Sequence, residues 1–226
     1  MFIIFSDKVF EMNICVEAGI GLGKTTLLRN LKRMISCDYE EDIIIVTEPV
    51  KLWREVSGKD LLQLFAEDPK KFSFPTQVHI LSTMSYQREK IPSAHIKIFE
   101  RSIDASEFIF KPVLVEDGFL TDLENKILSD LHLSLSSRAP KMDGIIYLKG
   151  TADLALKRIK NRNYECDEDL PLSYLEKLQR KHDEYIEKMK GSGIDVLTID
   201  AGQDEATVAA EAINFVMKKF GDVSKD

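Results

Sequence analysis

The chain has 226 residues, enough to bury a full core without disulfide or metal staples. Hydrophobic residues make up 44% and charged ones 31%, with 31 Lys and Arg against 38 Asp and Glu for a net charge of −7. That balance excludes low-complexity disorder, collagen and coiled coil, and it argues against a nucleic-acid partner, whose phosphates ask for a basic face.

Residues 1–13 (MFIIFSDKVFEMN) hold a short apolar run followed by Asp7, Lys8 and Glu11. The run is too short for a signal core, lacks a basic start, and carries acids that a transit peptide avoids. No apolar run approaches the roughly 18 residues that span a membrane. The three cysteines, Cys15, Cys37 and Cys166, are odd in number and fit neither a disulfide frame nor a zinc site. The expected location is the cytosol, with no membrane partner.

Short apolar runs then alternate with longer amphipathic stretches. Strands are predicted at 12–16, 43–47, 96–99, 144–148 and 195–199, and helices near 24–36, 73–90, 118–137, 151–162, 171–190 and 204–220. Continuous apolar strands alternating with helices predict an α/β fold whose parallel sheet is covered on both faces. The helix from Pro171 is well marked, with Leu172, Leu175, Leu178, His182, Tyr185 and Met189 in one stripe and Gly191 and Gly193 at its end. No repeat or linker divides the chain, so one domain over 1–226 is expected, with a frayed end at about 221–226.

Chemistry concentrates at the ends of the strands. Glu17-Ala18-Gly19-Ile20-Gly21-Leu22-Gly23-Lys24-Thr25-Thr26 lies between a strand and a helix, the setting of a P-loop. Backbone N–H groups from Ala18 to Thr26 would wrap a phosphate, Lys24 would reach the β- and γ-phosphates, and the Thr25 hydroxyl would ligate Mg²⁺. The pattern asks for glycine where Ala18 stands, and Ala18 penalises any positive φ there. A P-loop alone leaves kinases, GTPases and ATPases open.

Thr47-Glu48-Pro49-Val50 with Trp53 follows the second strand, where Glu48 can accept a proton from an attacking hydroxyl. Glu100-Arg101-Ser102 follows the third strand, with Arg101 a fork for phosphate oxygens and Glu100 a second Mg²⁺ candidate. Basic residues from Lys157 to Arg162 run into acids before Pro171, as a flap over phosphates would. Each of these three has an ordinary reading as solvated surface. The four histidines are scattered without ligand spacing, and the methionines other than Met84 read as core.

In order along the chain, the P-loop, Glu48-Pro49-Val50 with Trp53, Asp68-Pro69-Lys70-Lys71-Phe72, Gln77, Glu100-Arg101-Ser102, the Arg158/Arg162 lid and Pro171-Leu172-Ser173-Tyr174-Leu175 resemble the deoxynucleoside kinase family over residues 12–201. The resemblance implies a three-layer P-loop kinase fold with a five-stranded parallel sheet and a short arginine-rich lid at about 158–170. It implies 5′-phosphorylation of a deoxynucleoside by ATP with Mg²⁺, in a homodimer. Glu48 would be the base, Arg101 would position it and meet the phosphoryl group, and Arg158 and Arg162 would close from the lid. Gln77 would bond the base edge, Phe110 would stack on it, and Ile20, Trp53 and Met84 would line the pocket. The loop at Asp200 and Ala201 would hold the adenine.

Members that favour deoxycytidine or purines resemble one another in an Arg and an Asp where Met84 and Ser106 stand. Their absence points to thymidine and other pyrimidine deoxynucleosides. This chain departs from the family at four further places: Ala18; Phe65 where a Tyr holds the sugar 3′-OH, with Asp167, or Glu168 on a one-residue shift, as its acidic partner; Thr76 for an aromatic; and Tyr164 for a second lid arginine. Two other readings stay open. A thymidylate-type nucleoside monophosphate kinase would share the P-loop and lid, and a non-catalytic nucleotide-binding sensor would need no base.

Overall fold

The computed structural model describes residues 11–35, 42–161 and 170–223, with backbone alone from 220 onward. The lid residues Arg162, Tyr164, Asp167 and Glu168 lie outside the described residues.

The chain opens with β1 (Met12–Ala18), the glycine-rich loop and α1 (Lys24–Met34), followed by β2 (Ile43–Val46). Three helices come next: α2 (Val50–Arg54), α3 (Leu61–Glu67) and α4 (Pro69–Glu89). After β3 (Ile96–Glu100) a π-helical segment, Ser106–Phe110, runs into α5 (Lys111–Glu116) and then α6 (Asp122–Ser136). The last third holds β4 (Gly144–Lys149), α7 (Ala152–Lys160), α8 (Leu172–Gly191), β5 (Asp195–Asp200) and α9 (Glu205–Val223).

The five strands form one parallel sheet in the order β2-β3-β1-β4-β5. The central strand β1 is buried along its whole length. Its side chains alternate between two cores, as a period of two requires. Ile14, Val16 and Ala18 join Leu28 and Leu31 of α1, Ala155 and Ile159 of α7, and Ala212 and Val216 of α9. Cys15 joins Ile109, Val113, Leu178 and Tyr185 on the other face. Helices therefore cover both faces, and each buried Leu or Ile contributes about 1.5–3 kcal/mol. The architecture is the three-layer α/β P-loop kinase fold.

All five predicted strands are present, and the helices differ from expectation mainly at their ends. α4 starts at Pro69, four residues before its periodicity begins, because Asp68 caps the Lys71 N–H and proline suits the first turn. α6 starts at Asp122 rather than 118, where Thr121 and Glu124 form a capping box. α8 runs through Gly191 and stops at Gly193, whose φ of +86° is the left-handed stop. Periodicity assigns no element to 50–67 or 101–117. The short helices α2 and α3 hold too few turns to show a stripe. The π segment widens the helical repeat, buries Ile109 and half-buries Phe108 and Phe110, residues that read as strand formers.

Candidate active site

In this strand order the chain leaves β1 for β2 and returns to place β3 between them. The carboxyl end of β1 is thus the crevice where the sheet changes direction, the usual ligand position in such sheets. The P-loop, Glu48 and Glu100-Arg101 all stand at that end.

The loop itself is built for close backbone approach. Gly21 and Gly23 have φ of +79° and +97°. A Cβ on Gly21 would meet the Ala155 carbonyl and Ile159 Cγ1 at 2.8 Å each, so α7 packs where only glycine fits. Gly23 precedes α1 without a side-chain cap, and α1 has no acid in its first turn. Its N-terminal N–H groups are therefore available to an anion. Ala18 does not strain the loop: it is the last residue of β1, paired in register with Leu148, and is not among the residues with positive φ.

The charged residues meet around the Ala18 carbonyl. It accepts from Lys24 Nζ at 3.4 Å and Arg101 Nη2 at 3.5 Å. Arg101 Nε donates to Glu48 Oε1 at 2.6 Å, a partly buried charge-assisted bond that fixes the carboxylate beside the loop. The Thr25 hydroxyl donates to Glu100 Oε1 at 2.6 Å, and Glu100 Oε2 accepts the Glu48 N–H at 3.2 Å. The two residues expected to hold Mg²⁺ are thus in contact, and Glu100 ties them to the expected base. Arg101 takes φ of +70°, a left-handed backbone that costs a non-glycine residue roughly 1–3 kcal/mol. Its N–H to the Val16 carbonyl (3.0 Å) and the Arg88 donation to its own carbonyl (2.6 Å) hold that turn.

Burial pulls Lys24 down to about 8, and the Arg101 guanidinium adds to the effect, against partial support from Glu48, Glu100 and Glu17. An incoming phosphate would supply the missing counter-charge.

The nucleoside-side residues fall on three elements. Trp53 of α2 is buried and donates from Nε1 to Thr83 Oγ1 at 2.8 Å, which pins α2 to α4. Gln77 and Met84 are buried on α4. The Ser106 hydroxyl, from the π segment, donates to Gln77 Oε1 at 2.8 Å, leaving the amide N–H₂ without a partner among the described residues. Phe110 ends the same segment and carries the Arg101 guanidinium over its ring at 4.7 Å. Ile20 packs against both cores, and Phe65 of α3 packs beside Leu81 and Leu114.

On the expected nucleotide side, Arg158 of α7 donates to the Ala201 carbonyl at 2.8 Å, and its Nη1 stands 3.8 Å from where a Gly23 Cβ would be. Arg158 therefore lies inside α7 and joins the P-loop to the β5–α9 turn. Asp200 closes that turn by accepting the Gly202 N–H at 2.7 Å.

One participant escapes the motif reading. Glu17 is fully buried; its Oε1 accepts from the Ser102 N–H (2.8 Å) and hydroxyl (2.7 Å), and Oε2 lies 3.6 Å from Arg101 Nη1. The visible signal is a carboxylate in a largely apolar strand, a costly placement without a cation.

Comparison with known proteins gives one family. The model described as "Deoxynucleoside kinase" matches residues 14–223. The mitochondrial deoxyguanosine kinase of Xenopus laevis is 28% identical, over 95% of this chain and 92% of its own. Mitochondrial thymidine kinase 2 of Homo sapiens is 30% identical, over 86% and 72% respectively. Deoxycytidine kinase of Mus musculus is 31% identical over 84% of both chains.

Proposed function

Because the chain belongs to the deoxynucleoside kinase family, we propose that it transfers the γ-phosphoryl group of ATP to the 5′-hydroxyl of a deoxynucleoside, preferring thymidine and other pyrimidine deoxynucleosides. The observation that carries this reading is the 2.6 Å Arg101–Glu48 bond beside the P-loop. A nucleotide-binding protein without chemistry has no use for a half-buried carboxylate held at that place.

Glu48 accepts the 5′-hydroxyl proton as the sugar oxygen bonds to the γ-phosphorus. The bond from that phosphorus to the bridging oxygen breaks, and ADP leaves with the electron pair. Arg101 holds Glu48 and offers charge to the transferred group. Lys24 and the N–H groups from Ala18 to Thr26 hold the β- and γ-phosphates, with Arg158 beside them and Arg162 in the lid. Thr25 and Glu100 fit Mg²⁺, which takes one or two hard oxygen ligands from a protein and completes its shell with phosphate and water. Bound there, Mg²⁺ would neutralise charge on the phosphates. Most of the rate then comes from positioning and electrostatics.

Gln77 meets the base, with Trp53, Met84, Phe110 and Ile20 around it, Phe65 and Asp167 toward the sugar, and Asp200 and Ala201 toward adenine. Met84 and Ser106 leave space for a thymine methyl where an Arg–Asp pair would stand.

We further propose that the chain is one domain, that it works in the cytosol, and that it pairs as a homodimer through α6. Leu123, Ile127 and Leu133 are exposed there, with Tyr86 of neighbouring α4. Among the described residues no helix is long and apolar enough to cross a membrane.

A transfer assay with ATP·Mg²⁺ and a panel of thymidine, the other deoxynucleosides and thymidine monophosphate tests the activity. Fastest turnover on thymidine is expected, and Glu48→Gln lowers kcat by about 10²–10⁴. Turnover on the monophosphate alone would make it a nucleotide kinase; ATP binding without any turnover would make it a sensor.

A further inference from the structure

A cavity of about 320 Å³ lies away from the P-loop, between the C-terminal ends of α4, α6 and α8 and the turn after β3. Lys24, Thr25, Glu48 and Gln77 are not part of its lining. Met142, Met189 and Ile194 give it an apolar side, while Arg88, Lys141 and Asp104 give it charge.

Arg88 is the unusual member. It is only 8% exposed. Its guanidinium carries five N–H donors. Among the described residues it makes one hydrogen bond, from Nη2 to the Arg101 carbonyl, and lies over the Phe99 ring at 4.8 Å. Among the described residues no carboxylate comes within ion-pair distance of it. Burial lowers its hold on the proton below the ordinary arginine value, with partial support from Glu17 and Asp104 at longer range. Its remaining donors are not among the sealed, unpartnered atoms of the interior, so they open onto the cavity. Lys141, exposed and without an ion pair among the described residues, adds a second cation.

We propose that this cavity is a binding site for a small organic monoanion, a carboxylate whose oxygens meet Arg88 and Lys141 and whose apolar body lies on Met142, Met189 and Ile194. Asp104, held by His132 at 2.8 Å, stands in the same lining. Its charge disfavours polyanions, which separates the ligand from any nucleotide. The site does not depend on the phosphotransfer reading. Its occupant would sit one hydrogen bond from Arg101, through Arg88.

The test titrates 4-phenylbutyrate into the full chain carrying ¹³C-methyl methionine. Met142 and Met189 report on the cavity and Met84 on the nucleoside side. Expected are saturable shifts of Met142 and Met189 with Met84 unmoved, no competition by thymidine or ATP, and binding of the neutral amide weaker by at least about tenfold, as loss of a charged hydrogen bond requires. Arg88→Gln weakens the acid to the level of the amide. Should that variant fail to fold, Ala139→Trp fills the cavity from its rim and abolishes the shifts. Three results overturn the proposal: no saturable shift, equal binding of acid and amide, or thymidine-competitive shifts that include Met84.

Discussion

Lys24 sits among Arg101, Glu17, Glu48 and Glu100 with its proton affinity reduced to about 8, mainly by burial. In the free chain it loses its proton above that pH, whereas bound phosphate keeps it charged. kcat/KM for ATP should therefore fall about tenfold per unit above pH 8, while kcat at saturating ATP stays level further up. Steady-state rates from pH 6.5 to 10 measure both, and Lys24→Arg should move the limb beyond that range. A limb that persists in Lys24→Arg would assign it to another group. The stability consequence has the opposite sense. The folded value lies below the unfolded 10.5, so between pH 8 and 10.5 the unfolded chain binds more protons, and this group alone makes folding more favourable as pH rises. His182 gives the acid counterpart. Burial, with Arg101 nearby, depresses it to about 3, while Nδ1 bonds the Leu178 carbonyl at 2.7 Å. Stability from keeping it neutral is present above the unfolded value of 6.5 and is lost as pH falls toward 3. From pH 7 to 5 the loss is about 2 kcal/mol. Thermal melts of His182→Asn should show a smaller drop over that interval than the native chain; an equal drop would exonerate His182.

At the level of elements, the π segment is the piece that links two parts of the proposed site. It carries Ser106 to Gln77 and Phe110 to Arg101, two contacts that a regular helical repeat through the same residues would rotate apart. A hydroxyl both donates and accepts, so Ser106 tolerates either orientation of the Gln77 amide. A carboxylate only accepts and would draw the amide N–H₂ toward itself. Met84→Arg with Ser106→Asp should thus shift the ratio of kcat/KM for deoxycytidine over thymidine upward by at least about tenfold, the scale of one hydrogen bond remade at a base edge. An unchanged ratio would remove these two positions from the account of specificity. The same segment marks the limit of what periodicity reveals. The P-loop is legible because glycines and a lysine at fixed spacing have a single physical use. The five strands are legible as short, mostly apolar runs, although the edge strand β5 leaves Asp195, Thr198 and Asp200 exposed. The π segment is not, since Phe108, Ile109 and Phe110 look like a strand and a widened helix has no stripe at period 3.6. Glu17 is not legible as a partner of Arg101 because the two are 84 positions apart in the chain and meet only through the pairing of β1 with β3.

At the scale of the whole molecule, α6 presents Leu123 at 70% and Leu133 at 68% exposure, the two most exposed large apolar side chains among the described residues. Singly exposed leucines are ordinary, but two with Ile127 on one helix make a patch that a second copy would cover. Leu123→Lys with Leu133→Lys should convert the proposed dimer to monomer in sedimentation velocity without lowering the melting temperature of the monomer fold. A native chain that sediments as a monomer at micromolar concentration would dispose of the interface. The order of the sheet has a consequence of another kind. β1 lies between β3 and β4, and the turn after β3 is bonded back to the Val16 carbonyl. The P-loop is written within the first 26 residues of the chain, yet its walls come from residues near 100, 155 and 200. Closing such long loops is the slow part of assembling a parallel sheet. The phosphate cradle is therefore among the first segments made and the last to become competent. A chain still emerging during synthesis would carry the motif before the β5–α9 turn that bonds Arg158 is in place.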